Sequence, residues 1–180
     1  MKKMILIGGV PGTGKTTLAY RTALEQRIDK VVSIDILKGL FQMYQTKEAN
    51  PYLFTTTHEA YLLENTDVIA GYKKHCDCIQ ELLLDYIPYL MSDNVVIIEG
   101  AQLTPSFLTR LSTYGFKIEY HHLSSGKDVL LKRYEEKNKM RAYGWKENID
   151  SILQIQDYLN AECEMFKTNH LGGNYEILYI

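Results

Sequence analysis

The sequence predicts an α/β fold, a parallel sheet of five short strands with helices packed against it in one domain, on three observations. Five short apolar segments have the length and composition of strands: Lys3 to Ile7, Lys30 to Ile34, Asn94 to Ile98, Phe116 to His121 and Tyr175 to Ile180. Helical stretches lie between them, and such alternation is the pattern of a parallel sheet. A glycine loop, Gly9-Val10-Pro11-Gly12-Thr13-Gly14-Lys15-Thr16, joins the first strand to the first helix and fits G-x-x-x-x-G-K-[ST].

The elements follow in order. Helix one runs from about Lys15 to Gln26, free of helix breakers, and a short helix follows Asp35, through Lys38 to Gln45. The stretch His58 to Met91 carries apolar residues at helical spacing and predicts two helices broken near Asp67 or Gly71, with Pro88 near the end. Val95-Val96-Ile97-Ile98 suits a strand buried on both faces. Pro105 opens a further helix at its first position, with Thr104 as cap. Asp128 to Asn138 and Lys146 to His170 are helical, and Gly172-Gly173-Asn174 turns the chain into the last strand. No repeat, low-complexity tract or linker interrupts residues 1–180, which predicts a single domain.

The loop carries the first chemistry. Its glycines let successive N–H groups face one anion at the positive end of the following helix. A nucleoside triphosphate is the ligand this predicts, held by Gly9, Val10, Pro11, Gly12, Thr13, Gly14, Lys15, Thr16 and Thr17. Lys15 would reach the β- and γ-phosphates, and the Thr16 hydroxyl would meet a magnesium ion.

Composition narrows the partners. Net charge is −2, so nothing global points to nucleic acid or an anionic membrane. The fourteen tyrosines scatter without a basic stripe for stacking on bases. No apolar run approaches the ~20 residues that cross a bilayer. The amino-terminal apolar stretch is too short for a signal peptide, so a cytoplasmic location is expected. Three cysteines are not a disulfide framework, and the His75-Cys76-x-Cys78 cluster lacks a second ligand pair for a metal.

Two acids follow strands. Asp35 comes directly after Val31-Val32-Ser33-Ile34, where strand ends line the ligand crevice of a parallel sheet. There it either takes the proton of an attacking hydroxyl, orients magnesium waters or caps the next helix. Glu99 ends the third strand, the place of an acid serving magnesium directly or through water; a cap is the other role open to it. A basic run holds Lys132, Arg133, Lys137, Lys139 and Arg141 around Tyr143-Gly144-Trp145. Either it is a lid over the transferring phosphoryl, led by Arg133 and Arg141, or a solvated helix face paired with Glu135 and Glu136. His121-His122 and His58 are open to structural or cleft roles.

Taken together, an early phosphate loop, an acid after strand two, a long helical insertion, an acid after strand three and an arginine-bearing lid resemble the kinase branch of the P-loop proteins. Within it the chain is most similar to the 2-phosphoglycerate kinase-like group. The shared blocks are Gly8-Gly9, Ser33 to Leu37, Thr55 to Tyr61, Gly71 to His75 and Ile98 to Pro105, spanning roughly Lys2 to Arg141. The resemblance implies a P-loop NTPase fold in three α/β/α layers, with five parallel strands in order 2-3-1-4-5. It also implies an insertion at about 52–92 and a lid at about 132–146. Lys15, Asp35, Arg133 and Arg141 would be catalytic, Asp35 as the base. Asp35, Thr56, Thr57, Lys73, Lys74 and Gln102 would bind the acceptor, and Thr16 and Glu99 the magnesium. Three departures stand out. Gln102 replaces a histidine expected after Glu-Gly, Lys73-Lys74 replace arginines, and the amino-terminal domain of the archaeal members is not in this sequence.

The function expected is transfer of the γ-phosphoryl group of ATP, with Mg2+, to a hydroxyl of a small, anionic, 2-phosphoglycerate-like metabolite. A nucleotide, nucleoside, sugar or antibiotic kinase is the alternative within enzymes. A non-catalytic ATP- or GTP-binding switch is the alternative outside them.

Overall fold

The carboxyl ends of three adjacent strands come level in the computed structural model, which describes residues 2–90, 94–139, 144–169 and 175–179. The strands are β1 (Lys3–Gly8), β2 (Val31–Ser33), β3 (Val95–Glu99), β4 (Lys117–His122) and β5 (Tyr175–Tyr179). Their order is β2-β3-β1-β4-β5, and each neighbouring pair is parallel. Ile7 of β1 and Ser33 of β2 both pair with Glu99 of β3, so the crevice where ligands bind in such sheets opens beyond this row.

The helices are α1 (Lys15–Gln26), α2 (Ile34–Gln42), α3 (Val68–Leu90), α4 (Pro105–Ser112), α5 (Lys127–Asn138) and α6 (Ile149–Asn169). Alternation along the strands divides the core between the two faces of the sheet. Ile5, Ile7 and Ile97 pack with Leu18, Ala19 and Ala23 of α1 on one face. Met4, Leu6, Val96 and Ile98 pack on the other with side chains from α2, α3, α4 and α6. A third cluster joins Val10 of the glycine loop to Tyr72 of α3, Leu130 and Tyr134 of α5, and Ile152 of α6. The loop is thus anchored from above by helices as well as from below by β1.

The insertion differs from the sequence expectation. Only its second half is a long helix; the first half is two 3-10 turns, Pro51–Phe54 and Ala60–Leu63. The helix opens after Asp67, whose Oδ1 accepts from the Ala70 N–H at 2.9 Å. Gly71 does not break it. A Cβ there would meet the Tyr61 backbone nitrogen at 2.3 Å, so the glycine lets the helix and the preceding turn touch. Pro88 falls in the last turn of α3. Pro105 does open α4 with Thr104 as its flanking residue, but the Thr104 hydroxyl binds Gln80 and Ser106 and not a helix N–H. The Gly172-Gly173-Asn174 turn lies outside the described residues. No described helix is long and apolar enough to cross a membrane.

Candidate active site

Gly12 and Gly14 take φ of 81° and 100°, and the loop they shape turns directly into α1, where the Leu18 N–H meets the Gly14 carbonyl at 2.9 Å. Tyr134 of α5 covers the loop: its hydroxyl donates to the Pro11 carbonyl at 2.7 Å, and a Cβ on Gly12 would meet its ring at 2.3 Å. Thr13 donates to the Val10 carbonyl at 2.9 Å, and the Lys15 ammonium donates to the same oxygen at 3.0 Å. Burial pushes the Lys15 pKa down; Glu99 and Asp35 oppose that shift, and Lys137 adds to it. These three residues therefore surround the lysine that the loop presents.

A cleft of about 230 Å³ opens beside the loop. Lys15, Thr16 and Glu99 form its floor, and Asp35 and Lys38 of α2 form one wall. The insertion supplies Thr56, Thr57 and His58, the segment after β3 supplies Gln102, and Lys137 and Trp145 close the far side. Lys137 stands over the Trp145 ring at 5.3 Å, and that ring leans on Tyr134 at 5.2 Å. Asp35 is exposed in the first turn of α2. The residue flanking that helix is Ser33, so capping does not account for Asp35.

A second depression, of about 300 Å³, lies on the other side of the loop, lined by Thr13, Gly14, Thr17, Arg21, Leu123 and Arg133. Arg133 is held there by the Gly12 carbonyl at 2.8 Å and the Ser125 hydroxyl at 3.3 Å. The basic run thus divides: Arg133 belongs to the outer depression, and Lys137, one helical turn on, to the inner cleft. Arg141 lies outside the described residues.

Lys73 and Lys74 require a correction. Both were expected to face the acceptor, yet both are exposed on α3 and neither lines the cleft. Lys73 stands over the Tyr158 ring at 4.9 Å, and Lys74 pairs with Glu64, which also accepts from the Tyr52 hydroxyl. Lys38 takes the position expected of them, with its ammonium donating to the Thr55 carbonyl. Burial lowers its pKa against the pull of Asp35. Sequence reasoning had a signal for it, since Lys38 follows Asp35 by three residues and so shares its helix face.

Behind the cleft lies a buried network. His75 of α3 donates from Nδ1 to the Tyr52 carbonyl at 2.8 Å, because a carbonyl only accepts. Burial drives the His75 pKa down to about 3, so its Nε2 is a free acceptor, and Gln102 Nε2 donates to it at 3.2 Å. Gln80 holds Gln102 from the other side, donating to its backbone carbonyl at 2.7 Å. His121 and His122 stay with the sheet, His121 against Glu119 and His122 against Asn160. Among the described residues no group of three or more His, Cys, Asp or Glu side chains is placed to hold a metal. Thr16 and Glu99 in one cleft are a sparse donor set. It fits magnesium, which takes one or two protein oxygens and fills the rest of its shell with phosphates and water.

No family model matches the chain. Over 173 residues it is 26% identical to the 2-phosphoglycerate kinase of Pyrococcus furiosus, an alignment covering 91% of this chain and 57% of that protein. Identity to the 2-phosphoglycerate kinase of Methanocaldococcus jannaschii is 28% over 148 residues, covering 78% and 45%. The chain is similar to 2-phosphoglycerate kinases. It spans about half the length of the curated relatives it matches. Among solved structures, a sugar kinase from Janibacter sp. HTCC2649 superposes with a TM-score of 0.56 at 15% identity, covering 99% of this chain and 86% of that one. Shikimate kinase from Bacteroides thetaiotaomicron gives 0.52 at 20%, covering 97% and 84%. The fold is that of the P-loop kinases.

Proposed function

We propose that the chain is an ATP-dependent kinase for a hydroxyl of a small anionic metabolite, with 2-phosphoglycerate, the substrate in its relatives' names, as the first acceptor to test. The observation that carries this reading is the shared cleft. Phosphate loop, two carboxylates and a walled chamber with its own cation meet at one place. A switch that only binds nucleotide has no use for the chamber of Lys38, His58 and Gln102.

In this reading the nucleoside lies in the outer depression under Arg133, and the terminal phosphate points over Lys15 into the cleft. Thr16 and Glu99 would hold the magnesium, which would supply positive charge beside the phosphates. Asp35 accepts the proton of the acceptor hydroxyl as its oxygen bonds to the γ-phosphorus and the bond to the β-phosphate oxygen breaks. Lys15 and Lys137 stabilise charge on the phosphoryl oxygens in flight. Trp145 and Tyr134 exclude water, which favours transfer over hydrolysis. Lys38 attracts the anionic group of the acceptor.

The test is ADP release with ATP and Mg2+ across a panel of small hydroxylated anions. Release that depends on one acceptor is the expected result. ADP release at one rate with or without every acceptor would remove the kinase reading.

A further inference from the structure

Lys137 lies in the last turn of α5 and lines the cleft, and an aromatic ring seats it there. Its ammonium stands 5.3 Å from the centre of the Trp145 ring, within reach of a cation–π contact. Tyr134, one turn earlier on the same helix face, backs that ring at 5.2 Å between centres. Tyr134 is itself fully buried and tied to the phosphate loop, its hydroxyl donating to the Pro11 carbonyl at 2.7 Å. Trp145 is held from its other side as well. Gly144 takes a φ of 66°, and the Asn148 side-chain amide donates to the Gly144 carbonyl at 2.8 Å.

A seat of this kind differs from an ion pair in what it leaves available. Among the described residues no carboxylate pairs with Lys137, and the nearby Glu135 pairs with Lys146 at 2.8 Å. A π face holds an ammonium without neutralising it, whereas a carboxylate in its place would repel the phosphates. Lys137 also helps push the Lys15 pKa down, so two ammonium groups face the same space. Two cations held together are unfavourable until an anion comes between them.

We propose that Trp145 is a positioning residue: it holds Lys137 over the place of the terminal phosphate and so sets the preference of the site for a triphosphate over a diphosphate. This rests on the kinase reading, in which the terminal phosphate points over Lys15 into the cleft. Arg133, in the outer depression, serves both nucleotides alike, and the Lys137–Trp145 pair serves only the longer one.

The experiment is calorimetric titration with two probes, the β,γ-imido analogue of ATP and ADP, each with Mg2+. The wild type should bind the analogue more tightly. Trp145→Leu removes the π face and is expected to weaken the analogue about 10-fold, with ADP unchanged. Trp145→Phe should recover part of that loss through its weaker ring face. Made in Lys137→Met, Trp145→Leu should add nothing, because the lysine it positions is already gone. Equal losses for the two probes, a full further loss in Lys137→Met, or a wild type that binds both probes equally overturns the inference and leaves the kinase reading standing. A wild type that binds neither overturns both. A second measurement decides if Trp145→Leu does not fold. Trp145 is the only tryptophan in the chain, so emission reports this ring alone. Lys137→Met should shift that emission in the free protein, and the analogue should shift it in the wild type but not in Lys137→Met. Identical emission from the wild type and Lys137→Met would overturn the contact on which the inference stands.

Discussion

Arg133 of α5 donates a hydrogen bond across 2.8 Å to the carbonyl of Gly12, joining the carboxyl-terminal third of the chain to the phosphate loop. The bond matters because it aims a planar cation at the loop before any nucleotide arrives. With phosphates bound, the same guanidinium has a stronger anionic partner within reach.

Replacing Arg133 by alanine is therefore expected to raise KM for ATP about 10-fold, the worth of one hydrogen bond to a charged group. kcat should fall much less, because Arg133 lines the outer depression and not the cleft. Arg133→Lys should recover only part of the loss, because a point charge lacks the fork. Steady-state kinetics on the two variants measures both effects. An unchanged KM in Arg133→Ala would make the residue a structural strut for the loop.

Asp35→Asn tests the base. The amide keeps the size of the side chain, and Ser33 already flanks the helix, so stability should change by no more than about 0.5 kcal/mol. Turnover should fall about 10²–10⁴ while ATP still binds. Unchanged turnover would send the search for a base elsewhere in the cleft.

His75 sets an acid limit on stability. Its folded pKa is about 3 against an ordinary 6.5, so between those values the unfolded chain binds the extra proton. Its contribution is complete above pH 6.5 and is lost as pH falls toward 3, at roughly 1 kcal/mol per pH unit. His58, also lowered by burial, acts in the same direction. His75→Asn keeps a donor for the Tyr52 carbonyl and removes the titration. Urea unfolding at pH 7.5 and pH 5 should show a smaller acid loss in the variant than in the wild type. Equal losses would show that His75 takes no part in it.

Gly71→Ala tests the joint between the insertion's two halves. The added methyl has 2.3 Å to the Tyr61 backbone, where no flexible side chain can give way. Overpacking of this kind costs about 1–3 kcal/mol, which outweighs the better helix propensity of alanine. A thermal melt at or above the wild-type midpoint would mean that the turn shifts freely.

The sheet, the loop and the two strand-end acids were legible because each is written in consecutive residues. Apolar runs gave the strands, glycines and a lysine gave the loop, and a carboxylate after a strand falls in the crevice by topology alone. The cleft wall was legible only in part: Thr56, Thr57 and Gln102 were expected there and line it, and His58 was open to it. Lys38 and Trp145 come from separate segments, and only the tertiary fold brings them to the same cleft. Lys73 and Lys74 misled for a related reason. Two adjacent cations suggest an anion site, but on α3 their helical phase points them at Tyr158 and Glu64. Of the two breaks expected in the insertion, near Asp67 or Gly71, the one at Asp67 is where α3 begins; Gly71 lies inside the helix, and its service to a neighbouring backbone is invisible in sequence.

In the proposed reading this cleft moves a phosphoryl group from nucleotide to a hydroxyl. The most direct measurement follows the label from [γ-32P]ATP with Mg2+ and a hydroxylated anion, in the wild type and in Lys15→Ala. Label should appear in the acceptor with the wild type, and both transfer and tight nucleotide binding should be lost in the variant. Label released only as inorganic phosphate, or transfer retained in a folded Lys15→Ala, would contradict it.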